Sequence, residues 1–171
     1  RSVMLIYNKS LSVSPITTHV PLKSVSKKIS SKTILKKIII INHFFKTKLK
    51  KTPKFAVTGL NPHCESNFYN NEENKIIKPA IKKAQRNKIK VKGPYSADTI
   101  FIKKNIKKFD VIIGMYHDQV LTPMKTLFNF NAVNVTLGLP FIRISPDHGP
   151  NNKMIGEKKS DPSSLKEALT L

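Results

Sequence analysis

Three consecutive β-branched apolar residues, Val111-Ile112-Ile113, run between Asp110 and Gly114. Such a run has no polar face. As a strand it has to be covered on both sides, which is the situation inside a parallel α/β sheet. Directly after it come Tyr116, His117, Asp118 and Gln119. The carboxyl edge of an open α/β sheet is where ligands bind. The same four residues also read as a helix start, with Asp118 favoured in the first turn by the helix dipole.

The rest of the chain repeats this grammar. Val3 to Ile6 and Leu11 to Ile16 read as strands around the polar turn Tyr7–Ser10. The second runs into Thr17-Thr18-His19-Val20-Pro21-Leu22, where Pro21 ends any ladder. Ile34, Leu35, Ile38, Ile41, Phe45 and Leu49 recur at helical spacing and predict a helix from Ser31 to Leu49. Phe55 to Thr58 predicts a strand, and Gly59 with Pro62 forces a loop that carries His63. Glu72 to Arg86 predicts a helix with a kink or late start at Pro79. A brief strand at Ile89 to Val91 precedes a loop from Gly93 to Thr99 and a short helix through Phe101 and Ile102, capped by Ser96 or Asp98. Beyond the central strand, a short helix from Leu121 to Leu127 is expected to break at Pro123. Ala132 to Val135 and Phe141 to Ile144 predict strands, Ser145 to Pro150 a loop, and Asp161-Pro162-Ser163-Ser164 opens a last helix at Leu165 to Leu169. Strands alternating with helices call for a mainly parallel sheet.

The chain has 171 residues, enough for one domain with a core, and a formal charge of +21. That charge is almost all lysine, since Arg1, Arg86 and Arg143 are the only arginines. The lysines are spread along the chain without interleaved aromatics, which argues against a nucleic-acid surface and favours a phosphorylated or carboxylated small substrate. Cys64 is the single cysteine, so no internal disulfide points to an oxidising compartment. The longest aliphatic run, Ile38 to Ile41, is far below the roughly 18 residues needed to span a bilayer. A cytoplasmic location is expected. Strand-like sequence starts directly after Arg1, and the expectation is that an upstream segment is missing.

Two constellations carry chemistry. His19, His63 and His117 each follow a predicted strand. Three imidazoles suit zinc or a related divalent ion and leave a coordination position open. Their spacing is dispersed, so each histidine capping its own loop stands as the alternative. Cys64 could add a soft ligand or be a buried thiol, and His43 lies inside a helical pattern. Lys125, Asn134 and Arg143 form the second group. An arginine on an apolar strand needs an anion, either a substrate carboxylate or phosphate or an internal partner. Asp147-His148-Gly149 reads as a turn or a nucleotide-contact loop.

The motifs T-T-H-V-P-L, G-L-N-P-H, G-P-Y-S-A-D-T-I-F, M-Y-H-D-Q, V-N-V-T-L-G-L-P-F-I-R and S-P-D-H-G, in this order, resemble the PdxA family of 4-hydroxythreonine-4-phosphate dehydrogenases. The resemblance covers essentially the whole chain, residues 1–171, as a single partial unit corresponding to the family's C-terminal portion. It implies an isocitrate/isopropylmalate dehydrogenase-like fold, a mainly parallel sheet flanked by helices and incomplete at the N-terminus. It also implies a homodimer that oxidises 4-phosphohydroxy-L-threonine with NAD or NADP in vitamin B6 biosynthesis, followed by decarboxylation to 3-amino-2-oxopropyl phosphate. A divalent metal (Zn, Mg or Co) would be held by His19, His63 and His117, with ligands shared across the dimer interface. Lys125, Asn134 and Arg143 would bind substrate, and Asp147, His148 and Gly149 the adenosine end of the cofactor.

The chain departs from the family pattern at Cys64-Glu65-Ser66-Asn67-Phe68 and from Pro150 to Glu157. A paralogue acting on phosphothreonate or a related diol acid is the alternative within this class. A truncated, non-catalytic basic protein that binds polyanions is the alternative outside it.

Overall fold

The computed structural model describes residues 2–64, 71–147, 154–157, 159 and 161–171. Its strands are β1 (Val3–Tyr7), β2 (Ser12–Pro15), β3 (Phe55–Thr58), β4 (Val91–Tyr95), β5 (Val111–Gly114), β6 (Val133–Leu137) and β7 (Arg143–Pro146). They form one sheet of order β4-β3-β5-β2-β1-β6-β7. The aliphatic run Val111-Ile112-Ile113 has no exposed surface, because β5 lies between β2 and β3 and is parallel to both. β4 extends the parallel part. A tight hairpin turns β1 against β2, and β6 and β7 continue by antiparallel pairing. Hence β2, β3, β4, β5 and β6 share one direction, while β1 and β7 oppose it.

Parallel neighbours need crossover connections, and helices supply them. A short α1 (Val25–Lys28) precedes α2 (Ser31–Thr47). The Ser30 side chain caps α2 by accepting from Thr33 N–H at 3.2 Å. Then come α3 (Lys78–Arg86), α4 (Ala97–Ile100), α5 (Lys103–Ile106), α6 (His117–Phe128) and α7 (Ser163–Thr170). Successive strand residues point to opposite faces, so the sheet builds two cores. On one face Leu5, Val57, Ile113 and Val135 pack with Ile34, Ile38 and Ile41 of α2 and Ile81 of α3. On the other, Ile6, Val13, Ala56 and Ile112 pack with Val120, Leu121 and Met124 of α6. Each such buried Val, Leu, Ile or Met contributes about 1.5–3 kcal/mol.

Four local expectations are corrected. The helix after β5 is not broken at Pro123: α6 starts at His117 and runs through the proline to Phe128. Burial of Val120, Leu121 and Met124 outweighs the one backbone donor that Pro123 lacks. β4 continues to Tyr95 instead of ending at Val91, because its pairing with β3 shifts between Ala56 and Thr58. Gly93 makes this passage at φ 139°, where a Cβ would lie 2.4 Å from the Val57 carbonyl oxygen. β7 begins at Arg143, leaving Phe141 and Ile142 exposed outside it. Phe101 and Ile102 lie between α4 and α5 rather than within one helix. The late start expected at Pro79 is present: Glu73–Ile77 winds as a π-helical turn, and α3 carries Pro79 in its first turn. Among the described residues no helix is long and apolar enough to cross a membrane.

Candidate functional site

The shared direction of β2, β3, β4 and β5 brings their carboxyl ends to one rim of the sheet. His19 leaves β2 there, His63 leaves β3, Asp98 follows β4 and His117 follows β5. The rings of His19 and His117 are 5.5 Å apart, centroid to centroid. Together with Thr18, Val20, Tyr116 and Asp118 they line a cavity of about 510 Å³. Tyr116 and Asp118 also line an adjoining cavity of about 630 Å³, whose far side carries Asp98, Phe101 and Ile102. His63 stands with Asp98, Nδ1 to Oδ2 3.8 Å. One chain therefore pairs two of the three predicted histidines. Among the described residues, no three His, Cys, Asp or Glu side chains form a group able to hold a metal ion.

His117 Nδ1 is 2.6 Å from Asp118 Oδ1. A carboxylate can only accept, so Nδ1–H donates and the Nε2 lone pair remains for a ligand. The helix-start reading of Tyr116–Gln119 holds: His117 is the first residue of α6 and Asp118 sits in its first turn. His117 and Asp118 also line the cavity at the carboxyl rim of the parallel strands.

Buried polar groups tie the three histidine-bearing strand ends to one another. Thr17 donates to the Met115 carbonyl from its N–H at 3.1 Å and from its hydroxyl at 2.9 Å, joining the end of β2 to that of β5. The Gln119 Oε1 accepts from Met115 N–H at 2.7 Å and from the Thr58 hydroxyl at 2.8 Å, and its Nε2 donates to the Gly59 carbonyl at 2.8 Å. That amide joins the end of β5 to the loop after β3. Glu73, with 0% exposure, accepts from Leu60 N–H at 2.8 Å and from the Asn61 N–H and side-chain amide, each at 2.9 Å. Burial pushes its carboxyl pKa up, but the donors from Asn61 and Leu60 outweigh this and hold it below the ordinary glutamate value. The clasped loop turns sharply: His63 and Cys64 adopt φ 55° and 58°. Sequence reasoning missed Glu73, Thr58 and Thr17 in these roles. Glu73 lies in a hydrophilic run, Asn70-Asn71-Glu72-Glu73-Asn74, that looks solvated, and no local pattern marks one carboxylate in it as buried.

The second predicted group is spread over a different part of the sheet. Asn134 in β6 lies opposite Ile6 and Ser145, and its Oδ1 is buried with no hydrogen-bond partner among the described residues. Arg143 opens β7 opposite Thr136 and donates to that hydroxyl at 3.2 Å. Lys125, in the last turn of α6, is held at the opposite rim. Its Nζ is 2.7 Å from Asp147 Oδ2, donates to the Asp147 carbonyl, and lies 5.0 Å over the Phe130 ring. Asp147 is itself buried, and its N–H donates to the Ser164 hydroxyl at 2.7 Å. That hydroxyl donates to the Ala132 carbonyl at 2.9 Å. Asp147, read as part of a nucleotide-contact loop, is thus engaged by Lys125 and Ser164. His148 and Gly149 lie outside the described residues, as do residues 65–70 and 150–153.

The donor chemistry fits a divalent ion at the His19–His117 pair. Two imidazoles lie side by side, one of them oriented by a carboxylate as metal-binding histidines generally are. A third imidazole, His63, belongs to a loop at the same rim but faces Asp98.

A family model described as "Pyridoxal phosphate biosynthetic protein PdxA" matches residues 1–171. The 4-hydroxythreonine-4-phosphate dehydrogenase of Sulfurihydrogenibium sp. (strain YO3AOP1) is 46% identical over 170 residues, 98% of this chain and 52% of its own. That of Aquifex aeolicus (strain VF5) is 44% identical over 169 residues, again 98% of this chain and 52% of its own. The crystal structure of 4-hydroxythreonine-4-phosphate dehydrogenase from Klebsiella pneumoniae superposes with a TM-score of 0.84 at 33% identity, over 99% of this chain and 52% of that one. A terephthalate 1,2-cis-dihydrodiol dehydrogenase from Burkholderia xenovorans LB400, 22% identical, shares the fold with a TM-score of 0.78. The architecture is the isocitrate/isopropylmalate dehydrogenase-like one that the motifs implied. The chain spans about half the length of the curated relatives it matches.

Proposed function

Because the chain belongs to the PdxA family, we propose that it is the C-terminal, metal- and substrate-binding portion of a 4-hydroxythreonine-4-phosphate dehydrogenase. The reaction is oxidation of 4-phosphohydroxy-L-threonine with NAD or NADP, then loss of CO2 to give 3-amino-2-oxopropyl phosphate. The observation that carries this reading is the His19–His117 pair, at 5.5 Å on the ligand-binding rim, with Asp118 orienting His117. His63 completes the ligand set from a second copy in a homodimer, which accounts for its standing apart within one chain. A divalent ion at these imidazoles would supply Lewis acidity toward the substrate hydroxyl and, after CO2 leaves, toward the negative charge on that oxygen.

The remaining roles belong to the chain itself. Asp118 keeps the His117 proton on Nδ1 and so keeps Nε2 a donor of electrons. Arg143 offers a two-pronged cation to phosphate or carboxylate, with Thr136 bracing it. Asn134 presents a buried acceptor suited to an ammonium or hydroxyl proton. Lys125 adds positive charge at the other rim while anchored on Asp147. Asp147, His148 and Gly149 are assigned to the nucleotide by family resemblance. There Asp147 contributes a fixed backbone, since its carboxylate already serves Lys125.

Metal content of the purified chain tests this reading beside His117→Ala. Stoichiometric Zn2+ or Co2+ that persists unchanged in the variant refutes the ligand assignment. NADH formation with phosphohydroxythreonine, compared with phosphothreonate, decides between this enzyme and a paralogue. The charge of +21 is the observation behind a polyanion-binding fragment, which predicts salt-sensitive RNA binding and no NADH.

A further inference from the structure

We propose that Gln119 is a positioning residue: its buried amide locks the loop carrying His63 to the end of β5 that carries His117. Three bonds do this. Oε1 receives Met115 N–H and the Thr58 hydroxyl, and Nε2 gives to the Gly59 carbonyl, all between 2.7 and 2.8 Å. Met115 lies two residues before His117, and Gly59 four before His63. The amide is 9% exposed, so water does not replace these partners. The main chain is shaped to let it in. A Cβ at Gly114 would lie 3.1 Å from Gln119 Oε1 and 2.4 Å from Val120 Cγ1, so a larger residue would push the start of α6 away from β5.

The chemistry requires an amide. Gly59 offers an acceptor, while Met115 and Thr58 offer donors, so the inserted group must both give and accept. Methionine has the same length and can do neither well. Glutamate can accept both donors, but when ionised it sets an oxygen against the Gly59 carbonyl oxygen. Once protonated, it gives that bond back. Orienting groups behind metal ligands change affinity by about 10- to 100-fold when removed, because metal–ligand distances tolerate only about 0.2 Å. The same range is expected for Gln119 acting through the two loops.

This inference rests on the reading of the histidines as metal ligands, and the experiment separates the two. The 171-residue chain, Gln119→Met and Gln119→Glu are compared by circular dichroism, by Co2+ titration and by NMR of the histidine ring protons without metal. His43, on α2, is the internal control. In Gln119→Met the His63 and His117 ring signals shift while those of His43 stay, and Co2+ affinity falls 10- to 100-fold. In Gln119→Glu, which can still accept from Met115 and Thr58 but when ionised cannot give to Gly59, the His63 ring signals shift and Co2+ affinity falls at neutral pH. Should Gln119→Met not fold, Gln119→Glu carries the test alone. A folded variant with wild-type ring signals, or with shifted rings and wild-type Co2+ affinity, overturns the proposal. If the wild-type chain takes up no Co2+, the metal reading fails, and the ring signals alone decide whether Gln119 positions the loops.

Discussion

Replacing Glu73 with glutamine removes one charge from a site with no exposure and leaves the shape intact. The carboxylate accepts two backbone N–H groups, from Leu60 and Asn61, and the Asn61 amide. Hydrogen bonds to a charged acceptor contribute about 1.5–3 kcal/mol each. The glutamine keeps one oxygen for Leu60 and Asn61 N–H, weakened by loss of charge, and turns its NH2 toward the Asn61 amide. Asn61 has an alternative in Glu72, 2.9 Å away. Removal of a buried charge returns part of the loss, so the net destabilisation is about 2–3 kcal/mol at pH 7. With a urea slope of about 2 kcal/mol per molar, the unfolding midpoint falls by roughly 1–1.5 M. The pH dependence has a definite sign. The folded-state pKa of Glu73 lies below the ordinary value, so between the two the unfolded chain binds more protons. The stabilisation is present above the unfolded pKa of about 4.3 and is lost as pH falls through the folded value. Urea melts of both proteins at pH 7 and in acid check this. Equal midpoints at pH 7, or a gap that fails to narrow in acid, would refute the assignment of Glu73 as an ionised clasp.

Lys37→Met is expected to stabilise the fold. Lys37 Nζ donates to the Pro15 carbonyl at 2.9 Å, and burial lowers its pKa to about 8. From about pH 8 up to the unfolded value near 10.4 the unfolded chain binds more protons, so wild-type stability rises with pH across that window. After discounting for partial exposure and the lost hydrogen bond, the variant gains about 1–2 kcal/mol at pH 7. Thermal melts at pH 7 and 9.5 should show that advantage shrinking at the higher pH. Ser164→Ala leaves the Asp147 N–H and the Ala132 carbonyl unpaired in a buried place and should cost about 1–3 kcal/mol. Faster hydrogen exchange at the Asp147 amide is the site-specific sign, and unchanged protection there would refute the role given to Ser164.

Features written in contiguous residues were legible in the sequence, and features made by distant partners were not. Val111-Ile112-Ile113 announced a doubly covered strand, and the apolar spacing from Ile34 to Phe45 announced α2. The three histidines could be placed at strand ends because each follows its own apolar run, and parallel strands send those ends to one rim. Their pairing was not legible. That His19 meets His117 while His63 meets Asp98 follows from strand order, which no local pattern encodes. Lys125 was one lysine among many until β7 delivered Asp147 to it from 22 residues away. Pro123 misled for the same reason. Its local cost is real, but the contacts that override it come from β2 and β5. The extension of β4 to Tyr95 likewise depends on a partner strand and a register shift.

The reversal of β1 and β7 gives α6 an unusual task. Its twelve residues span about 18 Å, with His117 at one rim of the sheet and Lys125 about 12 Å along toward the other. Its middle is gripped by the core through Val120, Leu121 and Met124. One rigid helix therefore sets the separation of the two rims: the buried aliphatic contacts fix its middle, and the Lys125–Asp147 ion pair fixes its far end.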